Sequence, residues 1–206
     1  MLEKYMQKNQ IPIVWVNIIA IAVFSVFFAK NRNFEFMIYI VVIIFFMWLF
    51  IYTNKRVRYP SNVLWALTIW SILHMAGGGI KIGDDVLYAK MIYEFIGEPY
   101  SILKYDQIVH VYGFGVATLV MFHVIKPILN HKYSWTRILI VISMAGLGLG
   151  ALNEIIEFGA TVLVPETGVG GYINTSLDSV FNLIGALVAS TYIYYSEKND
   201  RPAKAS

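Results

Sequence analysis

Long apolar runs recur along the chain, each closed by a short polar or Gly/Pro-containing stretch. A helix rises about 1.5 Å per residue, so crossing a hydrocarbon core of about 30 Å takes roughly 20 apolar residues. Six runs qualify: 11–29, 34–52, 62–79, 107–125, 137–157 and 177–195. The pattern predicts an all-α, polytopic membrane protein with six transmembrane helices in a single membrane domain, 1–206. The first run is too long for a signal-peptide core and lacks a small-x-small cleavage site, so it reads as a retained helix. Two connections are long, 80–105 and 158–176. In the first, residues 84–97 begin with Asp84 and Asp85. They set a narrow polar side (Lys90, Glu94) against Leu87, Met91, Ile92, Phe95 and Ile96. That predicts an amphipathic helix on the membrane surface or folded over the bundle. The second holds Pro165, Gly168, Gly170 and Gly171 and reads as irregular backbone. The polar tail 197–206 reads as disordered.

Composition strengthens the membrane reading. The chain is 58% hydrophobic and 14% charged, against about 25% charged for soluble domains. There is no cysteine, which excludes disulfides and leaves only oxygen and imidazole ligands for a metal. The net charge of +3 comes without a basic, aromatic-interleaved patch, so nucleic acid is not an expected partner. With the N-terminus inside, only Lys30, Arg32, Lys81, Lys90 and Lys104 fall outside, and every other Lys and Arg is cytoplasmic. Positive charge favours the inner face. The expected location is therefore the cell membrane, with many passes and both termini in the cytoplasm. Trp135, Tyr52, Tyr192, Tyr194 and Tyr195 then lie near the inner boundary, as an aromatic belt.

Against this apolar background seven polar side chains stand out: His74, Asp106, His110, Glu154, Glu157, Asp178 and Asn182. A charge at the centre of a spanning helix costs roughly 2.5–3.5 kcal/mol on insertion scales, so such residues usually have a function. The alternating topology puts all seven at one outer-leaflet depth, delivered by four helices. Asp106 and His110 are i, i+4 neighbours, as are Asp178 and Asn182, and Glu154 and Glu157 are i, i+3. Small residues follow or precede them (Gly77, Gly78, Gly113, Gly115, Gly146, Gly148, Gly150, Gly185), the usual means of close helix approach in lipid. Each polar residue also has a plain structural role open to it. Asp106 and Asp178 can favour a helix N-terminus, His110 can be a hydrogen-bonded core histidine, and Asn182 can join helices. His123 and His131 lie toward the other side and read as structural or solvated. Asp84, Asp85, Glu94, Glu98 and Glu166 read as solvated charges.

The motifs Asp106–His110 (DQIVH), 153–157 (NEIIE) and 178–185 (DSVFNLIG) resemble the VanZ-like superfamily of small membrane proteins. The likeness is closer to the YjdF-like inner-membrane proteins, which carry a histidine before paired glycines, similar to 73–78 (LHMAGG). Those proteins also carry Y-D-x-x-x-H, E-x-x-E, and a Gly-rich loop leading to D-x-x-x-D. The resemblance covers 73–186. It departs at Asn174, which stands where the first aspartate of the last pair is expected. Asn182 instead matches the VanZ-like D-x-x-x-N. The resemblance implies a polar site at the cell envelope more firmly than it implies a reaction.

The residue types themselves suggest a divalent metal. Carboxylates suit Mg, Mn or Ca, and added imidazole admits Zn or Fe. Asp106, His110, Glu154 and Asp178 are the expected metal ligands. Glu157 and His74 are the acid/base candidates, with Asn182 and Asn174 in support. The leading expectation is a membrane-embedded hydrolase acting on a lipid-linked or cell-envelope substrate, by metal-assisted or acid/base chemistry. Two alternatives stand beside it: a non-catalytic factor that binds a lipid or partner, and an ion-coupled transporter.

Overall fold

The computed structural model describes residues 2–129, 133–164 and 167–198. Six long helices carry the chain: α1 (Ile11–Lys30), α2 (Phe34–Val57), α3 (Ser61–Gly79), α4 (Tyr105–Ile125), α5 (Trp135–Leu163) and α6 (Tyr172–Glu197). Five are long and apolar enough to cross a membrane. The exception is α3, whose 19 residues include Ser61, Asn62, Thr68, Ser71, His74 and three glycines. It nevertheless runs the length of the bundle. Val63 and Leu64 pack with Met6, Val14 and Val120, while Met75 at its other end packs with Phe28 and Phe36.

The two ends of the bundle differ. At one, which we call the terminal end, the chain start docks under the α2–α3 turn. The Gln10 amide donates to the Tyr59 carbonyl at 2.8 Å, and the Asn54 amide donates to the Tyr5 carbonyl at 2.9 Å. There, too, Lys126 meets Glu197 at 2.6 Å. Glu197 thus belongs to α6, so helix replaces the start of the tail expected from 197; residues 199–206 lie outside the described part. Trp135 packs edge-on against Tyr194. His123 lies here against Phe122, and His131 is outside the described residues. At the other end, the connector end, lie the α1–α2 turn, the 80–104 connection and the 167–171 loop. Asn33 caps α2 by accepting from the Phe36 amide at 3.1 Å.

The surface helix expected over 84–97 does not form. Two antiparallel hairpins take its place: β1 (Lys81–Ile82) with β2 (Asp85–Val86), and β3 (Met91–Ile96) with β4 (Ile102–Lys104). The reason is local. Ile82 pairs with Asp85 across a two-residue turn whose first residue, Gly83, takes φ +69°. Such turns favour glycine and join strands. The segment beyond is rich in Ile, Tyr and Phe, residues that fit a pleated ribbon. Pro99 also blocks helix continuation. The apolar residues still face outward, with Ile92, Tyr93, Phe95, Ile96 and Tyr100 all exposed.

The second connection is shorter than its composition suggests, because α5 continues to Leu163 and α6 begins at Tyr172. Its irregular backbone holds Gly168, Gly170 and Gly171; Pro165 and Glu166 are outside the described residues. The Gly168 amide donates to the Glu35 carboxylate at 2.7 Å, tying this loop to α2.

Candidate functional site

The packing of α4 against α6 places the polar residues. At Gly115 and Gly185 the two backbones nearly touch. A Cβ on Gly185 would overlap the Val111 carbonyl oxygen and lie 3.0 Å from the Gly115 nitrogen. Only glycine allows this approach, and it sets His110 of α4 beside Asn182 of α6. The His110 Nδ1 to Asn182 Oδ1 distance is 2.9 Å, with both side chains buried. On α5, Gly150 makes room for the same amide, because a Cβ there would sit 2.6 Å from Asn182 Nδ2.

Around His110 the carboxylates gather. Asp106 Oδ1 lies 3.4 Å from His110 Nε2, and Glu154 Oε1 lies 3.9 Å from His110 Nδ1. Ligand atoms of Asp106, His110 and Asp178 all fall within 4.8 Å of one another, as do those of His110, Glu154 and Glu157. These are the two sets able to hold a metal ion among the described residues, and they share His110. Asp178 is fully buried. Its Oδ2 accepts from the Asn174 amide at 2.6 Å, while its Oδ1 has no protein partner. Neither oxygen of Glu154 has a hydrogen-bond partner, and Asn182 Nδ2 has none. Glu157 accepts from the Asn153 amide at 2.7 Å.

The ring of His110 constrains where a cation or proton goes. Asn182 Oδ1 can only accept, so Nδ1 donates to it and Nε2 is the ring nitrogen left facing Asp106. A bare nitrogen facing a carboxylate at 3.4 Å needs a proton or a cation to make the contact favourable. This is the arrangement in metal sites, where the histidine donates its second nitrogen to a neighbouring acceptor.

His74 is not brought into either set. Its ring lies among Phe36, Tyr39, Trp70 and Tyr88, with centroids 5.4–5.8 Å away. Tyr88 Oη lies 2.5 Å from its Nδ1. Burial pushes the Tyr88 phenol well above its ordinary pKa, so it stays a neutral donor to that nitrogen. A small cavity lined by Trp70, His74, Val109, His110, Phe114 and Asn153 separates the two histidines.

Several participants are not evident from sequence. Asn153 sits inside the NEIIE motif, and its i, i+4 spacing to Glu157 is the signal that identifies it. Gln107 is fully buried and caps α4, accepting from the Leu103 amide at 2.6 Å and the Lys104 amide at 3.1 Å. Tyr88 falls in the segment whose pattern suggests a surface helix. Glu35 has the position of an ordinary first-turn acid, yet it is buried and also accepts from Tyr39 Oη at 3.1 Å. A cleft of about 820 Å³ opens beside it, bounded by Arg32, Asn33, Lys81 and Gly168.

No curated protein and no solved structure matches the chain. Apolar helices on this scale mark a multi-pass membrane protein. A family model described as "Predicted membrane protein (DUF2238)" matches residues 11–199, nearly the whole chain, and the protein belongs to that family.

Proposed function

We propose that the protein is a membrane-embedded hydrolase for a lipid-linked or cell-envelope substrate, with a single divalent cation held by Asp106, His110 and Asp178. The observation that carries the proposal is three buried carboxylate oxygens beside His110 that have no hydrogen-bond partner: both oxygens of Glu154 and Oδ1 of Asp178. Buried carboxylates without hydrogen bonds are costly unless a cation or a proton compensates them. The donor set fits Mg or Mn through its oxygens and Zn through the imidazole. A cation bound there lowers the pKa of water and polarises a phosphoryl or carbonyl oxygen.

The chain's own residues have distinct tasks in this reading. Asn182 holds the His110 tautomer. Asn174, standing where the YjdF-like pattern expects a carboxylate, donates to Asp178 and orients its free oxygen. Glu154 balances charge on the opposite edge of the imidazole. Glu157, oriented by Asn153, accepts the proton of the attacking water and returns it to the leaving group. His74, its Nδ1 engaged by Tyr88, takes no part in the step. Because Nδ1 of His110 is held by Asn182, only Nε2 is left for a cation, and one cation is expected per chain.

Both termini are assigned to the cytoplasm, and α3 is taken as the sixth span. The Lys and Arg distribution supports the orientation, and the end-to-end course of α3 supports the span. The native chain has no cysteine, so single cysteines report topology directly. Asp84→Cys should react with an impermeant maleimide in whole cells, and Asn9→Cys only after permeabilisation. The reverse pattern refutes the orientation.

The chemistry is tested on detergent-purified protein dialysed against chelator and reloaded with Mg, Mn or Zn. Mass spectrometry should find about one divalent ion per chain, lost in Asp106→Asn and Asp178→Asn. Glu157→Gln should retain the ion and abolish release of phosphate from lipid phosphate esters. No bound ion, together with full envelope function in Glu154→Gln, would sink the proposal.

A further inference from the structure

A crevice lies beside the site on the lipid-facing side of the bundle. Near the connector end α2 packs through Phe36, Tyr39, Ile40 and Ile43 onto Met75 and Ala160, with Ile156 alongside. Toward the middle of the membrane it stands away from α5. A crevice opens there, walled by Val42 and Phe46 of α2 and by Leu149 and Leu152 of α5, with Leu67 and Ala117 on its floor. Every lining residue is apolar or aromatic except one, Asn153, and Asn153 is bonded to Glu157.

Trp70, Phe114 and Asn153 line this crevice and also the small cavity beside His74 and His110. These three side chains are the ones the crevice and the histidine-lined cavity share among the described residues. Trp70 lies flat against His74, ring centroids 5.4 Å apart. It also rests on the bare backbone of Gly113, where any Cβ would overlap the indole.

We infer that this crevice takes one hydrocarbon chain of the lipid substrate, threaded from the bilayer between α2 and α5, with its polar end at Asn153 and Glu157. That the occupant is a substrate rests on the hydrolase reading, but the crevice and its polar terminus stand without it. A groove that is apolar along its length and polar at one end complements a single-chain amphiphile. Water-soluble compounds would find no polar partner along its walls. Trp70 is the partition: its indole must tilt for the polar end to approach His110. Specificity then follows from chain width, since the crevice is bounded by helices on both sides.

The test uses the protein in nanodiscs with a diazirine-bearing hexadecyl phosphate as probe. On irradiation, label should concentrate on peptides containing Leu149, Leu152 or Phe46, and it should saturate at low probe fraction. Label on the outer face of α1, at Ile19 and Val23, should instead rise in proportion to the probe. Ala117→Trp fills the crevice and should reduce the saturable label at least five-fold. Leu149→Trp does the same from the opposite wall if the first variant fails to fold. Saturable label unaffected by either variant in folded protein overturns the inference, as does crevice label that rises linearly like that of α1. Metal-loaded wild-type protein separates the two ideas. Saturable crevice labelling there without any release of phosphate supports the crevice and overturns only the hydrolase reading.

Discussion

Gly185→Ala should be among the most damaging small substitutions in this protein. The added methyl carbon would overlap the Val111 carbonyl oxygen. It would also lie 2.9 Å from the Val111 carbonyl carbon and 3.0 Å from the Gly115 nitrogen. All three are backbone atoms, so no side chain can rotate away. Ordinary contact begins at 3.4 Å. Relieving the carbon contact alone therefore parts α4 from α6 by about 0.5 Å (3.4 − 2.9), and the oxygen requires more. The 2.9 Å contact between His110 and Asn182 lies within one turn of this crossing and would stretch to the limit of a hydrogen bond. Overpacking costs typically about 1–3 kcal/mol, and a lost internal hydrogen bond about 1 kcal/mol. The sum is about 2–4 kcal/mol, which for a chain of this size is a fall in Tm of about 4–16 °C. Intrinsic fluorescence during heating of detergent-purified protein reads this directly. Gly148→Ala is the control, because nothing lies within 4 Å of its Cβ position and alanine is the better helix former by about 1 kcal/mol. A Gly185→Ala protein melting within a degree of wild type would refute the argument. So would a Gly148→Ala protein that falls just as far.

Three further outcomes follow from contacts at the two ends. Glu35→Ala removes the acceptor for the Gly168 amide; a hydrogen bond to a charged group contributes about 1.5–3 kcal/mol, so hydrogen exchange at Gly168 should quicken more than ten-fold while α4–α6 amides stay protected. Unchanged exchange would show that the loop is held by other means. Tyr88→Phe leaves the buried Nδ1 of His74 without its donor and should lower stability by about 1–3 kcal/mol, read as a Tm shift with bound metal unchanged; loss of the metal instead would place His74 in the site. Lys126→Met breaks the ion pair with Glu197, whose lysine is half exposed, and should change stability by less than about 1 kcal/mol, an effect that vanishes in high salt. A larger, salt-insensitive loss would contradict the reading of a solvent-screened pair.

The helices are legible because an apolar run of spanning length is hard to accommodate except as a helix in lipid. The ends are not. The sequence pattern closes the fifth helix at Glu157, where the glutamates interrupt the apolar run, yet α5 continues through Phe158, Val162 and Leu163, which are all exposed. Residues that face lipid give no polar signal at a helix end. Likewise Asp178 has the pattern of a first-turn acid, but α6 starts six residues earlier at Tyr172, which takes Asp178 out of reach of a simple helix-dipole role. Over 84–97 the apparent helical period runs on from a Gly-Asp turn that favours strands. For the site, spacing alone pairs Asp106 with His110, but it cannot order the residues across helices. That His110 stands between the two groups of acids, and that His74 is drawn off by Tyr88, depends on glycine contacts between distant segments. No local pattern encodes those.

The lengths of the helices have a consequence for the surrounding bilayer. At about 1.5 Å per residue, α1 with 20 residues spans about 30 Å, while α5 with 29 and α6 with 26 span about 43 and 39 Å. Two of the three helices that carry the acids, α5 and α6, are therefore longer than both α1 and an average hydrocarbon core of about 30 Å. Such mismatch is accommodated by helix tilt or by locally thickening the lipid, at fractions of a kcal/mol per Å. Where tilt does not take up the difference, lipid against α5 and α6 is stretched relative to lipid against α1. Thin bilayers would force α5 to lean, and the crossing that holds His110 to Asn182 would feel it. Membrane thickness is thus a physical variable to which this fold is coupled.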